Sequence, residues 1–470
     1  MQPDQLKTFS FFKALIAIDA EIFLVGGSVR DELLGKSIKD LDLVVRGIAI
    51  DNLVTVLKKH GKTNLVGKSF GIIKFRPKEA PEIELDIALP RTETSTGTGH
   101  RDFEVSFDPH LPLEEDLRRR DFTINAIAQN LLTGTIIDPF NGQKDIKDGL
   151  IRTVFEASFL EDPLRLLRAV QFSARLKFKI EERTLDEMCR HAGLIRTVAK
   201  ERIIEEIRKL FLAEKPSVGF DLMRNTGLLQ IVFPDVWNMI GVTQPNKNNE
   251  DVYTHTMKVL NAARQAEELE KSGDLAIMFA ALFHDAGKPK TRREDDDDEK
   301  LVTFYNHQLV STGIAWRWLK DFRAATIGVD PSHVCHLVKH HMFETKEFHN
   351  DRALRRFINK VGKDNVMDLL DLRLADKKGG RFPNKVYGIM KLREKIQEEI
   401  SKKPPFTPKD LALNGHDIME LGFKPGPVIG EIQKYLMEIV LDEPALNTKD
   451  DLTRLVEEKR AEFDTKNSLH

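Results

Sequence analysis

The segment Asp40-Leu41-Asp42-Leu43-Val44-Val45 alternates acid and apolar residues, and it follows an apolar run, Ile22 to Val25, that stops at Gly26-Gly27. Successive side chains on a strand point to opposite faces, so a strand here sends Leu41 and Leu43 into a core and brings Asp40 and Asp42 out together. The chain must therefore build a sheet with one face carrying paired carboxylates. Two such carboxylates can share divalent ions, and Mg²⁺ is usually held by one or two carboxylates plus substrate phosphates. A site of that kind lowers the barrier to in-line displacement at phosphorus. Ile22 to Val25 reads as a preceding strand, with a helix expected to start near Ser28. The two glycines between them let backbone N–H groups approach a triphosphate at the helix start.

A third carboxylate comes from Glu82-Ile83-Glu84-Leu85-Asp86-Ile87-Ala88, where acids and apolar residues alternate with period two. This spacing predicts a half-buried strand with Glu82, Glu84 and Asp86 on one face. Asp86, nearest the strand end, is the candidate for a further metal ligand or for the base that activates an attacking hydroxyl. The Thr-, Gly- and Pro-rich segment after it reads as a mobile loop leading into a short strand, Phe103 to Phe107.

Three ordered motifs then carry a family resemblance: Gly26-Gly27-Ser28-Val29-Arg30-Asp31 with Asp40-Leu41-Asp42, Asp116 to Ala126, and Glu161-Asp162-Pro163-Leu164-Arg165-Leu166-Leu167-Arg168. Together they resemble the class II tRNA nucleotidyltransferases, the CCA-adding enzymes, whose motifs bacterial poly(A) polymerases share. The resemblance implies that Asp40 and Asp42 bind catalytic Mg²⁺. It also implies nucleotide binding by Gly27, Arg30, Arg120, Asp162, Arg165 and Arg168, with Asp121 and Asn125 in the same motif. Gln171 stands where many relatives have Arg. The loop after Asp86 is needed in the family for the switch from C to A addition. The residue chemistry agrees with the base-reading role. Residues three apart share a helix face, so the Asp162 carboxylate and the Arg165 guanidinium can meet one ligand edge. Cytosine and adenine each offer an amino donor and a ring-nitrogen acceptor there. Guanine and uracil offer the reverse and would leave both groups mispaired, a costly outcome when buried.

His255, His284-Asp285, His307, His340-His341 and Asp376 follow in the order of the HD metal-dependent phosphohydrolases. Imidazoles and carboxylates together suit Mn²⁺, Fe²⁺, Ni²⁺, Co²⁺ or Zn²⁺ more than Ca²⁺, and Ni²⁺, Co²⁺ or Mn²⁺ are the ions expected at this site. Hydrolytic activity at this site is left open, because some relatives keep only remnants of it.

The implied fold is α+β and multidomain. A polymerase-beta-like nucleotidyltransferase head, a mixed sheet with helices, spans 1–150 and is followed by an all-α neck (151–215), body (216–250), HD helical domain (251–400) and tail (401–470). Helices are expected over Leu164 to Leu176 and Val198 to Leu212. In the tail, Gly422, Gly426, Gly430 and Lys424 would let backbone and charge approach an RNA phosphate. With Lys+Arg 72 against Asp+Glu 74, any RNA surface must be local. Cys189 and Cys335 are too few for a disulfide framework and indicate a reducing compartment. No apolar stretch approaches the roughly 20 residues of a membrane helix. The leading expectation is a cytoplasmic enzyme that adds CCA to tRNA 3′ ends from CTP and ATP and needs no protein partner. Two other readings fit: a poly(A) polymerase or A-adding enzyme, and an HD phosphohydrolase whose head no longer catalyses.

Overall fold

The computed structural model describes residues 3–38, 41–66, 72–95, 103–244, 250–294, 302–348 and 350–467. It divides into two compact units, residues 1–233 and 234–470.

In the first unit, the strands before residue 140 are β1 (Glu21–Val25), β2 (Leu41–Arg46), β3 (Gly61–Val66), β4 (Ile72–Pro77), β5 (Leu85–Ala88), β6 (Arg91–Ser95), β7 (Phe103–Phe107), β8 (Ala128–Asn130) and β9 (Ile136–Ile137). Seven of them form one sheet in the order β3-β4-β5-β2-β1-β8-β9. Within it, β2 and β5 are parallel and the other neighbours antiparallel. Leu41, Leu43, Val44 and Val45 are buried. Phe23, Val25, Val44, Ala126 and Ala128 pack with Leu113 and Leu117 as a core, which fixes the β2 pleat and so the face on which Asp42 emerges.

The strand expected from Glu82 starts only at Leu85, so Glu82 and Glu84 lie before it. Pro81 has no N–H for a ladder, and Ile83 N–H donates to the Ala80 carbonyl in a turn. The segment expected to be a loop after Asp86 contains a strand as well. Arg91–Ser95 pairs antiparallel with Phe103–Phe107, and residues 96–102 lie outside the described residues. The two expected helices appear as Arg165–Leu176 and Lys200–Phe211.

The second unit is helical apart from a two-stranded ribbon, Arg293–Glu294 with Val302–Thr303. Its center is Leu275–Phe283, an apolar helix buried from Ile277 onward and capped by Asp274. Helices Val252–Gln265 and Val366–Gly379 pack closely beside it. A Cβ at Gly379 would stand 2.6 Å from the Val259 nitrogen, so only glycine permits this approach. The tail forms helices Pro427–Asp442 and Lys449–Glu458. Among the described residues, no helix is long and apolar enough to cross a membrane.

Candidate active site

β1 ends at Val25, and Gly26 then turns the chain into helix Gly27–Leu33 with φ +67°. An L side chain at that φ is strained, and a Cβ would also sit 2.5 Å from Arg120 Nη1. The turn brings Ser28 against β2, where its Oγ accepts from the Asp42 N–H (3.2 Å). Asp42 pairs in register with Asp86 on the parallel neighbour β5, so both carboxylates rise from one face. Asp40 lies outside the described residues.

Gly27, Arg30, Asp42, Arg120, Asp121, Asn125, Asp162, Arg165, Arg168 and Phe172 line one cavity of about 370 Å³. The expected nucleotide residues thus come together around Asp42, although they are spread over more than a hundred positions of the chain. Arg30 Nη1 donates to Asn125 Oδ1 (2.6 Å), and Asn125 Nδ2 donates to Asp121 Oδ1 (3.0 Å). The other Asp121 oxygen accepts from Arg168 Nε (2.8 Å). Burial pushes the Asp121 carboxyl up, but the Arg168 charge and these hydrogen bonds outweigh it and hold it low. Asp121 therefore fixes Asn125 and Arg168 as part of the wall.

Asp162 and Arg165 both reach the cavity, but not as two residues of one helix. Asp162 lies in extended backbone after the short helix Ser158–Glu161, and Arg165 is the first residue of the next one. Pro163 between them breaks the run. Arg165 Nη1 donates to Ser158 Oγ (2.9 Å) and Nη2 to the Arg119 carbonyl (2.6 Å). Asp162 Oδ2 accepts from Arg202 Nη2 (2.9 Å). Buried Gln171 accepts from Arg175. Sequence reasoning missed Phe172, whose ring faces the Arg30 and Arg168 guanidinium groups at 5.1 and 5.3 Å. Its spacing of four from Arg168 was an available signal. Arg202 had none, being one cation of an ordinary amphipathic helix.

The second unit gathers His255, His284, Asp285, His307, His341 and Asp376. His340 is not among them. Its ring stacks toward His336 with centroids 4.6 Å apart, and burial lowers its pKa to about 4. Neighbours on a helix point about 100° apart, so only one of His340 and His341 can face inward. Asp285 Oδ2 lies 3.2 Å from His284 Nε2 and 3.8 Å from His255 Nε2, while Oδ1 lies 3.2 Å from His307 Nε2 and 4.0 Å from His341 Nε2. His255 Nε2 is also 3.1 Å from Asp376 Oδ1.

These residues fit a bound cation. Nδ1 of His284, His307 and His341 each faces the carbonyl three residues back, of Ala281, Phe304 and Val338. A carbonyl only accepts, so Nδ1 carries the proton in each ring and Nε2 turns a lone pair inward. His307 and His341 Nε2 then confront each other at 3.4 Å, and buried His284 Nε2 has no well-aligned hydrogen bond. Burial holds His341 neutral, with its pKa lowered to about 3. Around the cluster, Lys288 Nζ pairs with Asp285 Oδ2 (2.7 Å) and Arg373 Nη1 with Asp376 Oδ2 (2.6 Å).

Comparison with known proteins gives a consistent order of matches. Family models match for the poly A polymerase head domain over residues 22–152, the probable RNA and SrmB-binding site of polymerase A over 177–240, the HD domain over 252–378, and the putative tRNA nucleotidyltransferase domain 2 over 331–456. A multifunctional CCA protein of Pasteurella multocida is 36% identical over 344 residues, 72% of this chain and 78% of the relative. One from Nitrosococcus oceani is 40% identical over 275 residues, 58% of this chain and 64% of the relative. The crystal structure of the Bacillus stearothermophilus CCA-adding enzyme in complex with CTP has the same fold, with TM-score 0.69 at 24% identity, covering 99% of this chain and 100% of that one.

Proposed function

The chain belongs to the family of CCA-adding tRNA nucleotidyltransferases, and on that premise we propose that it adds C and A to tRNA 3′ ends from CTP and ATP without a nucleic-acid template. The observation that carries this reading is the single cavity beside Asp42 into which residues of three separated motifs converge. Arg30, Arg120 and Arg168 supply the charge for a triphosphate there. Asp162 and Arg165 are assigned the base edge, with Arg165 held by Ser158 and the Arg119 carbonyl so that its orientation is set before a nucleotide arrives. Asp40, Asp42 and Asp86 would hold Mg²⁺, which when bound neutralises phosphate charge and favours the ionised attacking hydroxyl. Asp86 stands one strand away from Asp42, on the β5 side of it and away from the turn after β1 that lines the nucleotide cavity. The neck (151–215) is assigned nucleotide selection and the tail (401–470) tRNA contact.

For the second unit we propose an accessory phosphohydrolase. His255, His284, Asp285 and Asp376, with His307 and His341, would hold Ni²⁺, Co²⁺ or Mn²⁺, which would supply Lewis-acid polarisation of a phosphate ester. Lys288 orients Asp285, and Arg373 orients Asp376. Free cysteines Cys189 and Cys335 support a cytoplasmic setting.

The test is incubation of purified protein with tRNA ending before, within and after CCA, each with one nucleotide at a time. CTP should extend the first substrate and ATP should extend tRNA ending in CC. Addition of A alone, or of long A tails, would replace CCA addition by the A-adding or poly(A) reading.

A further inference from the structure

The row of side chains through Asp42 does not end at the carboxylates. Asp42 pairs with Asp86, Asp86 with Lys74 on β4, and Lys74 with Asn64 on β3, so one face carries this row to the edge of the sheet. Two positions further along the same face, Lys62 pairs with Arg76. Lys62, Asn64, Lys74, Arg76 and Glu84 line a cavity of about 230 Å³, three cations and an amide against one carboxylate, in a chain of net charge −2. Glu84 ties two of the cations in place. Its Oε1 accepts from Lys74 (2.7 Å), and its Oε2 accepts from Arg76 Nε (3.0 Å) and Nη2 (2.9 Å). Lys74 also reaches Asp86 Oδ1 at 3.2 Å. Lys62 is exposed at the edge.

The sheet order separates two kinds of charge about β2. The strands bring the turn after β1 and the segment before β8 to the nucleotide cavity, on one side of Asp42, and residues 162–172 complete its lining. The cations of β3 and β4 lie on the other, beyond Asp86. Nucleotidyl transfer needs two phosphate-bearing reactants to meet at the carboxylates, one of them the strand that carries the attacking hydroxyl.

We propose that Lys62, Lys74 and Arg76 form a phosphate track for the single-stranded 3′ end of the RNA substrate, leading from the sheet edge to Asp86. This rests on the reading of the first unit as an RNA-extending nucleotidyltransferase. The track accounts for Glu84, which holds Lys74 and Arg76 side by side and leaves the cluster net positive. The other use of an edge lysine is protection of β3 against pairing with another chain, with no part in RNA binding.

The experiment uses the full chain and a tRNA ending before CCA, with equilibrium binding measured across a salt series and KM determined separately for tRNA and CTP. Lys62→Glu alone is one variant, since it leaves the Glu84 ties in place, and Lys62→Ala with Arg76→Ala is the other. The expected result is that tRNA affinity falls about tenfold in the double variant and that its salt slope drops by roughly 1 to 2, as loss of two phosphate contacts requires. KM for tRNA should rise with it while KM for CTP stays within about twofold, and Lys62→Arg with Arg76→Lys should restore binding, because track charge and not local shape is at issue. Unchanged tRNA affinity and slope in both variants overturn the track, and so does an equal rise in KM for CTP. A parent protein that binds and extends no RNA overturns the underlying reading as well, which separates the two failures.

Discussion

Asp42 is held by three independent restraints: the buried leucines on either side of it in β2, the Ser28 hydroxyl on its N–H, and Asp86 beside it on β5. Its carboxylate therefore has little freedom to leave the face on which Asp86 stands. Asp42→Ala and Asp40→Ala should each reduce incorporation of both C and A by more than about 100-fold, since loss of even an outer partner of a metal ligand costs 10–100-fold. Binding of tRNA, measured separately by filter retention, should change little because RNA is held mainly by phosphate contacts. Near-normal addition by either variant would remove these residues from catalysis. Gly26 is the second sensitive position. Gly26→Ala must strain a backbone at φ +67°, at a cost of about 1–3 kcal/mol, and push Arg120 out of the cavity. KM for CTP and ATP should rise together, and a variant whose KM values match the parent would show that Arg120 does not serve the nucleotide.

At the scale of elements, what could be read in advance was whatever depends on neighbours in the chain. Acid-apolar alternation located β2 and the strand Leu85–Ala88 (β5), and helical spacing located Arg165–Leu176 and Lys200–Phe211. Where a second signal competed, the pattern misled. Alternation at Glu82 and Glu84 met the turn at Pro81, and the Thr- and Gly-rich segment that looks like a loop is paired as β6 with β7. Which of two adjacent histidines faces a cluster depends on helix rotation, so the sequence alone groups His340 with His341 although only His341 faces inward. Contacts across the fold, such as Arg202 with Asp162, leave no local trace. Another such contact joins helix Pro331–His340 to helix Val366–Gly379. His333 lies between Asn365 Oδ1 and Asp368 Oδ2, each 3.0 Å away, and Asn365 Nδ2 is turned to the Val361 carbonyl. Both ring nitrogens thus meet acceptors, which favours the imidazolium, and Lys271 and Asp274 are the other charges nearby. The His333 pKa is raised by the Asp368 hydrogen bond. Burial pushes the Asp368 carboxyl up, but His333 and Lys271 outweigh it and lower it. The His333 contribution to stability is full below its unfolded value near 6.5 and is lost as pH rises through the higher folded value. The Asp368 contribution is present above its unfolded value near 3.9 and is lost as pH falls through the lower folded value. Unfolding free energies of the parent from urea curves should therefore exceed those of Asp368→Asn most between about pH 4 and 6.5, by about 1–3 kcal/mol. A pH-independent difference would show that His333 is neutral in the folded protein.

The whole molecule joins two compact units, and each carries its own constellation of charged side chains: carboxylates on a sheet face in residues 1–233, and a His/Asp cluster between helices in residues 234–470. Among the described residues each constellation lies within its own unit: the two sets share no residue, and the Asp42 cavity is lined from the first unit alone. Damage to one should then spare the other, provided the chain still folds. His284→Ala with Asp285→Ala removes the carboxylate that lies between the two groups of histidines, together with a ring whose Nε2 has no well-aligned hydrogen bond. The same change leaves half-buried Lys288 without its Asp285 partner, so circular dichroism and an unfolding curve must accompany the activity measurement. The double variant should lose hydrolysis of phosphomonoesters or 2′,3′-cyclic phosphodiesters in Ni²⁺, Co²⁺ or Mn²⁺ while adding C and A to tRNA within a few-fold of the parent. Such a division has a chemical use, because a tRNA end that carries a phosphate has no free hydroxyl to attack a nucleotide, and one chain could clear the end and then extend it. If the parent hydrolyses nothing with any of these ions, the histidine cluster serves structure. If the folded double variant also stops adding nucleotides, the two units are energetically coupled and their independence is disproved.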